Sequence, residues 1–205
     1  MQYYPLFLDI RHRPVLVIGG GSIALEKIQN LLRAGAKITV ISPEILPSIR
    51  RFNRRITLIE RPFEPSDISE IYQLIFAATG ESKLNAAVSA ECGQRRILCN
   101  RVDEPAYCHF IVPAMLRRGA ITVAVSTSGV SPFLARELKE TLRKIVGPEY
   151  TILTRILKNH RNSIKDRFSS FQERVAFWRR FFDRDPIAAI RAGHRGDLQR
   201  QLSDY

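Results

Sequence analysis

Four consecutive apolar residues that run straight into three glycines and then into an amphipathic pattern leave few folds open. Val15 to Ala24 reads VLVIGGGSIA. The apolar run has the length of a buried strand. The segment Ile23–Arg33 behind the glycines sets Ile23, Ile28, Leu31 and Leu32 on one helical face, with Gly35 just past its end. Gly19, Gly21 and Ala24 fit the G-x-G-x-x-G/A fingerprint in its required strand–turn–helix context. The first glycine permits the tight turn, the second lets a pyrophosphate approach the backbone, and a small third residue lets helix and strand pack closely. The free N–H groups of the helix N-terminus face the phosphates. A tight βα turn without a ligand is the competing reading.

Up to about residue 112 the chain alternates short apolar runs with helical patterns, which predicts a parallel sheet with crossover helices. The predicted strands are Val15–Ile18, Ile38–Ile41, Thr57–Ile59, Leu74–Ala78 and Ile97–Cys99, and Lys83–Arg95 is a second crossover helix with Leu84, Ala87 and Val88 inward. The pattern then changes. Phe110–Leu116 and Ile121–Val125 flank Arg117–Ala120 as an antiparallel hairpin. Ser131 and Pro132 supply an N-cap and a first-turn proline for a helix to about Ile145, which Gly147 and Pro148 end. From Glu149 onward the chain reads as helical, with Ile152, Ile156 and Leu157, then Phe171, Val175, Trp178 and Phe182, on apolar stripes that serve a core or a subunit contact. A boundary near residue 112 separates a nucleotide domain from a hairpin-plus-helices module.

Composition restricts the setting. No apolar run approaches the roughly 18–20 residues that span a bilayer, and the start, MQYYPLFLDIRHR, has no secretory-signal pattern. Cys92, Cys99 and Cys108 form no CxxC pair and no disulfide framework, which fits a reducing cytoplasm. The net charge of +12 is unevenly spread: residues 1–112 hold 14 Lys+Arg against 11 Asp+Glu, residues 113–205 hold 18 against 9. Such an excess implies an anionic partner or a solvated basic face. No zinc-finger, RNA-recognition or helix-turn-helix pattern accompanies it, and a small polyanionic substrate stays open beside nucleic acid.

Several residues could carry chemistry. Asp103 follows the last predicted strand of the sheet, and ligands of open α/β sheets bind outside the carboxyl ends of the strands. A carboxylate there can take a proton from a substrate held against a nicotinamide, although Asp-Glu-Pro is also ordinary turn chemistry. The second strand ends in Ser42-Pro43-Glu44, without the usual acidic residue directly after it, and slightly favours NAD over NADP. STSGVSP, from Ser126 to Pro132, offers Ser126, Thr127, Ser128 and Ser131 at a helix N-terminus, suited to an anion or to plain capping. His109 could touch metal or substrate or be structural, and His12, His160 and His194 form no ligand-like spacing with it.

In this order the pieces resemble the precorrin-2 dehydrogenase/sirohydrochlorin ferrochelatase family, also found as the N-terminal module of fused siroheme synthases. The likeness runs through YPLFLDIRHRPVLVIGGGSIALEK, FAATG at Phe76–Gly80, CNRVDEPAYCHFIVPA and AVSTSGVSP, and reaches FQERVAFWRRFF in the tail. It implies an α/β fold with an NAD-binding Rossmann-type domain over 1–112, a small α+β dimerisation domain over 113–147 and a C-terminal helical domain over 148–205. It implies NAD⁺-dependent oxidation of precorrin-2 to sirohydrochlorin, and in some members Fe²⁺ insertion to give siroheme. Asp103 takes the place of the catalytic aspartate. Gly19, Gly20, Gly21, Ser22, Ile23, Pro43, Glu44 and Thr79 fall on the cofactor contacts. Asn100, His109, Phe110, Ser126, Thr127, Ser128 and Ser131 fall on the substrate side, with no fixed metal-ligand set.

The resemblance further implies a cytoplasmic homodimer with a tetrapyrrole substrate and Fe²⁺ as second substrate, without nucleic-acid or membrane partners. An octacarboxylate substrate accounts for the positive charge. Ser128 and Val130 depart from the family's glycine and lysine or threonine, Arg101 stands where an apolar residue is common, and a regulatory phosphoserine of fused members aligns with Thr127. With no methyltransferase segment, precorrin-2 is expected from another protein. A dehydrogenase without chelatase activity, a chelatase without hydride transfer and a non-catalytic dinucleotide sensor on nucleic acid are the alternatives.

Overall fold

The computed structural model describes residues 3–203, and the chain divides into two compact units, Met1–Val112 and Pro113–Tyr205. In the first, β1 (Pro14–Ile18), α1 (Ser22–Arg33), β2 (Lys37–Ile41), α2 (Pro47–Arg50), β3 (Thr57–Ile59), β4 (Leu74–Ala77), α3 (Ser82–Gln94) and β5 (Leu98–Arg101) follow in chain order. The five strands form one parallel sheet in the order β3-β2-β1-β4-β5. Alternate residues of the central strands enter two cores. Val15, Val17, Val40 and Phe76 pack with Ala24, Ile28 and Leu31 of α1, whereas Leu16, Ile18, Ile75 and Cys99 pack with Val88 and Cys92 of α3. Both faces are covered, which is why the strands read as continuous apolar runs. The chain builds outward from β1 through β2 to β3, then returns to β4 on the other side of β1. The switch point of the topology therefore lies between β1 and β4.

Three local expectations change. Ile23 is 49% exposed and Ala24 takes the inward position, because Ala24, Ile28 and Leu31 share the face packed on the sheet and Ile23 lies about 100° round the helix from Ala24. On α3 the buried face is Asn85, Val88, Ser89 and Cys92, and Ala87 is exposed. The last strand is shifted to Leu98–Arg101, because Asn100 and Arg101 pair in register with Phe76 and Ala77 despite their polarity.

β5 is an edge strand, and the segment after it folds back to cover it. The Cys99 N–H donates to His109 Nδ1 at 3.1 Å, and the His109 N–H donates to the Cys99 carbonyl at 2.9 Å. Asn100 Nδ2 donates to the Phe110 carbonyl at 2.9 Å, and the Arg101 N–H reaches Cys108 Sγ at 3.1 Å. Sealing an edge in this way removes a template for unwanted pairing. Phe110 thus belongs to the first unit and not to the hairpin; its ring meets Phe76 edge-on at 5.4 Å.

In the second unit β6 (Ala114–Arg118) and β7 (Ile121–Val125) are antiparallel around the two-residue turn Gly119-Ala120. They are followed by α4 (Pro132–Ile145), α5 (Glu149–Arg167), α6 (Phe171–Asp183), α7 (Pro186–Arg191) and α8 (Arg195–Ser203). The Leu134 N–H donates to Ser131 Oγ, the expected N-cap of α4. The helical core contains Leu153, Ile156, Ile164, Phe177, Phe181, Ile190, Leu198 and Leu202. The two apolar faces of α6 have different surroundings. Phe177 and Phe181, one helical turn apart, hold the buried face of α6, while Phe171 starts the helix and Phe182 lies about 100° round it from Phe181, and both are exposed. No described helix is long and apolar enough to cross a membrane.

Phe177 is 3% exposed and touches the Phe168 and Trp178 rings at 5.2 and 5.1 Å. Phe177→Ala is expected to cost about 3–5 kcal/mol, and Phe171→Ala, at an exposed ring, no more than about 0.5 kcal/mol. Urea unfolding followed by Trp178 fluorescence measures both.

Candidate functional site

The glycine turn after β1 is wedged between the exits of its neighbours in the sheet. Gly19 has φ +121°, and a Cβ there would lie 2.2 Å from the Ala78 carbonyl oxygen after β4. At Gly20 a Cβ would lie 2.0 Å from the Glu44 carbonyl oxygen after β2. Glycine is therefore required at both positions by backbone approach alone. The segment 42–46 is fixed against the turn, since the Leu46 N–H donates to the Gly20 carbonyl and Ser42 Oγ donates to the Glu44 carbonyl. Pro43 and Glu44 are exposed beside it.

Gly21 differs from its two neighbours. A Cβ there would meet nothing within 4 Å, and its φ of −89° is open to any residue. It is the N-cap of α1, and no side chain caps that helix. Ser22 and Ile23 follow, both exposed. Open space over an uncapped helix N-terminus, at the switch point of a parallel sheet, fits the pyrophosphate of a dinucleotide.

On the other side of the switch point a buried amide organises the exits of β4 and β5. Asn85 is wholly buried on the inward face of α3. Its Oδ1 accepts from the Thr79 N–H at 3.1 Å and from Thr79 Oγ1 at 2.8 Å, and its Nδ2 donates to the Thr79 carbonyl. Nδ2 also donates to Asp103 Oδ1 at 3.0 Å. Asp103 accepts three further bonds: Ser82 Oγ to Oδ2 at 2.8 Å, Arg101 Nε to Oδ1 at 3.2 Å and Arg101 Nη2 to Oδ2 at 3.0 Å. The guanidinium beside it, helped by Ser82 and Asn85 and opposed by burial, holds the Asp103 carboxyl down at about 2. Arg101 is held charged in turn, and its guanidinium sits 5.4 Å from the centre of the Tyr107 ring.

Of the residues singled out in the sequence, Gly19 to Ile23, Pro43, Glu44, Thr79 and Asp103 therefore line the carboxyl edge of one sheet. Asn100, His109 and Phe110 take part in sealing β5. Ser126, Thr127, Ser128 and Ser131 lie in the second unit, where Thr127 Oγ1 donates to the Ser131 carbonyl and accepts from the Ser131 N–H. The Ser126 hydroxyl accepts from the Ser128 N–H, and Ser128 has φ +52°. Ser82, Asn85 and Arg101 were missed as partners of Asp103. Asn85 was within reach, because a polar residue on the helical face that also carries Val88 and Cys92 needs a buried partner.

The family described as "Putative NAD(P)-binding" matches residues 6–114, more than half of the chain. The chain belongs to that family. The sirohaem synthase dimerisation region matches residues 149–204. Siroheme synthase 1 of Serratia proteamaculans (strain 568) is 36% identical over 98% of this chain and 43% of its own length. Siroheme synthase of Sodalis glossinidius (strain morsitans) is 41% identical over 87% of this chain and 38% of its own. The chain thus spans less than half the length of these curated relatives. The solved structure of SirC, precorrin-2 dehydrogenase, superposes with a TM-score of 0.81 at 26% identity over 99% of this chain and 100% of that one. The resemblance read from the motifs holds.

Gly21→Asp has room to fold, and its side chain points into the space over the helix N-terminus. It is expected to keep its melting temperature within a few degrees yet weaken NAD⁺ at least about tenfold in calorimetric titration, a change of about 1.4 kcal/mol. For Asp103, the folded pKa is depressed below the ordinary value near 4. Its contribution to stability is therefore complete above about pH 4 and is lost as pH falls through about 2. Asp103→Asn should be the less stable protein at pH 7, and the gap should narrow as denaturation is measured from pH 5 downward.

Proposed function

We propose that this chain oxidises precorrin-2 to sirohydrochlorin with NAD⁺, in siroheme synthesis. The observation that carries the reading is the placement of Asp103 and the Gly19–Gly21 turn along one carboxyl edge, on either side of the β1–β4 switch point. The overall superposition on SirC, whose printed name is precorrin-2 dehydrogenase, supports it over most of both chains.

NAD⁺, when bound, supplies the acceptor for the hydride. The chain supplies the rest. The Gly19–Gly21 turn and the α1 N-terminus take the pyrophosphate, and Pro43, Glu44 and Thr79 border the dinucleotide. Asp103 takes the proton that the tetrapyrrole gives up as the hydride leaves. Balance requires one proton and one hydride per oxidation, and a single carboxylate suffices for the proton.

The finer reading adds Fe²⁺ insertion into sirohydrochlorin, with Asp103 taking pyrrole protons as the metal enters; the pyrrole nitrogens themselves are the ligands. Among the described residues no group of three or more His, Cys, Asp or Glu is arranged to hold a metal; in this reading iron enters as a substrate. The hydroxyl loop Ser126–Ser131 is assigned to substrate carboxylates. Two copies are proposed to pair through the second unit, in which the hairpin and α4 lie within 113–147, and the dimerisation-region match covers 149–204. A cytoplasmic setting fits an NAD-dependent step and three free thiols.

Asp103→Asn decides the central role, because it keeps the shape of the side chain and removes its basicity. NAD⁺ affinity is expected to be unchanged while precorrin-2 oxidation, followed spectroscopically, falls at least about a hundredfold. Near-normal oxidation by the Asn variant would remove Asp103 as proton acceptor. Loss of oxidation with Fe²⁺ insertion intact would separate the two reactions.

A further inference from the structure

Asp103 as the structure holds it has no room for a proton. A carboxylate offers about four lone-pair sites, and the four donors around Asp103 take two on each oxygen: Arg101 Nε and Asn85 Nδ2 on Oδ1, Arg101 Nη2 and Ser82 Oγ on Oδ2. A base in this condition can act only after a donor leaves. Asn85 is the least able to do so, because it is wholly buried and tied to Thr79 by three bonds. A buried amide that loses a partner bears the full desolvation penalty. Ser82 can rotate away, but the two-pronged contact of Arg101 would remain and keep the carboxylate a poor base. Arg101 is left. Its side chain is 12% exposed, lies over the Tyr107 ring and also donates from Nη2 to Ser82 Oγ at 3.1 Å, but it is long, and its fork can move from one carboxylate to another with little change in pairing energy, provided a second carboxylate arrives.

We propose that Arg101 is a positioning residue that gates Asp103: it saturates the carboxylate before substrate binds, then transfers its guanidinium to a carboxylate of the incoming tetrapyrrole and so frees the oxygen that takes the proton. This rests on the dehydrogenase reading given above. The consequence is selection for an acidic substrate, since a neutral ring would leave the base closed. No bond is made or broken in the exchange; one ion pair replaces another. The other groups acting on the pair are few. Glu104 and Tyr107 on the short turn 104–107 reinforce the charge of Arg101, Cys108 lies against the Arg101 backbone, and α3 contributes the neutral Ser82 and Asn85.

The test uses the full chain, as wild type, Arg101→Leu and Arg101→Lys, with two readouts. Carbon NMR of the Asp103 carboxyl is recorded in each protein with NAD⁺ alone and then with sirohydrochlorin as the carboxylated probe. In the wild type the probe is expected to raise the Asp103 titration by about one unit or more, in line with loss of an adjacent opposite charge. In Arg101→Leu the titration should already be raised and respond little to the probe, and Arg101→Lys should lie between. In turnover, Arg101→Leu should move the acid limb of kcat/KM to higher pH and raise KM for precorrin-2 more than it lowers kcat. An Asp103 titration indifferent both to the probe and to Arg101→Leu, or a pH-independent fall in kcat with KM unchanged, would overturn the gate. Wild-type turnover of precorrin-2 separates the two claims: oxidation with an unmoved Asp103 titration rejects the gate alone, whereas a wild type that binds NAD⁺ without oxidising precorrin-2 rejects the dehydrogenase reading and the gate with it.

Discussion

The nucleotide side of this protein rests on one steric constraint, the approach of the backbone at Gly19 and Gly20 to the carbonyls of Ala78 and Glu44. At those distances a single methyl group on either residue would collide with main chain that cannot retreat, since Ala78 follows the buried strand β4 and Glu44 is tied to the turn by its neighbours. The close packing joins the exits of three adjacent strands, β2, β1 and β4, into one rigid rim. Gly21, which faces open space, is the only one of the three glycines left to a ligand. The division of labour within the triplet is therefore two residues for the fold and one for the site.

The carboxyl-rim residues on the other side of the switch depend on a different device, a buried amide in place of a close approach. Asn85 fixes Thr79 and Asp103 relative to α3, so the exits of β4 and β5 and the start of that helix move as one body. A buried polar side chain is tolerated because both its oxygen and its nitrogen are bonded. Leucine would fit the helical pattern of α3 equally well and would add apolar contact, yet it would leave the Thr79 amide and Asp103 without this partner. The preference for asparagine is thus a matter of the site.

Much of this was legible in the sequence, for identifiable reasons. The strands and α1 announce themselves because both faces of the sheet are covered and the apolar runs are continuous. Ser131 and Pro132 mark the start of α4 because capping chemistry is local. Asp103 stood out by its position after a strand. What escaped notice was long-range or polar. The last strand was read short because Asn100 and Arg101 look like loop residues, whereas their strand character comes from pairing with Phe76 and Ala77. Phe110 was given to the hairpin because an apolar run carries no sign of which core it will enter. On α6 the sequence did not show which apolar face enters the core of the unit, since four phenylalanines and a tryptophan within Phe171–Asp183 leave more than one face apolar enough to choose. The Arg101 fork on Asp103 could not be inferred from the resemblance, because the family's common residue at that position has no charge to pair.

That arginine also bears on the encounter with the substrate. The chain as a whole is strongly basic, with most of the excess after residue 112, and under the proposed function an octacarboxylate would be drawn to it over a distance set by ionic strength. At short range, however, a bare Asp103 would oppose the approach. A substrate carboxylate about 4 Å from it would meet roughly 4 kcal/mol of repulsion at an effective dielectric near 20, enough to offset much of the attraction gained elsewhere. In the proposed gate, the two-pronged Arg101 contact cancels that charge while the substrate arrives. If the guanidinium then turns to the substrate, the repulsion reappears only once the tetrapyrrole is held, and it reappears as basicity at Asp103. A carboxylate that must be ionised to accept a proton, yet must not repel an acidic substrate, has a physical need for such a partner. The dehydrogenases of this family that carry an apolar residue at the position would have to meet that need with a cation from elsewhere.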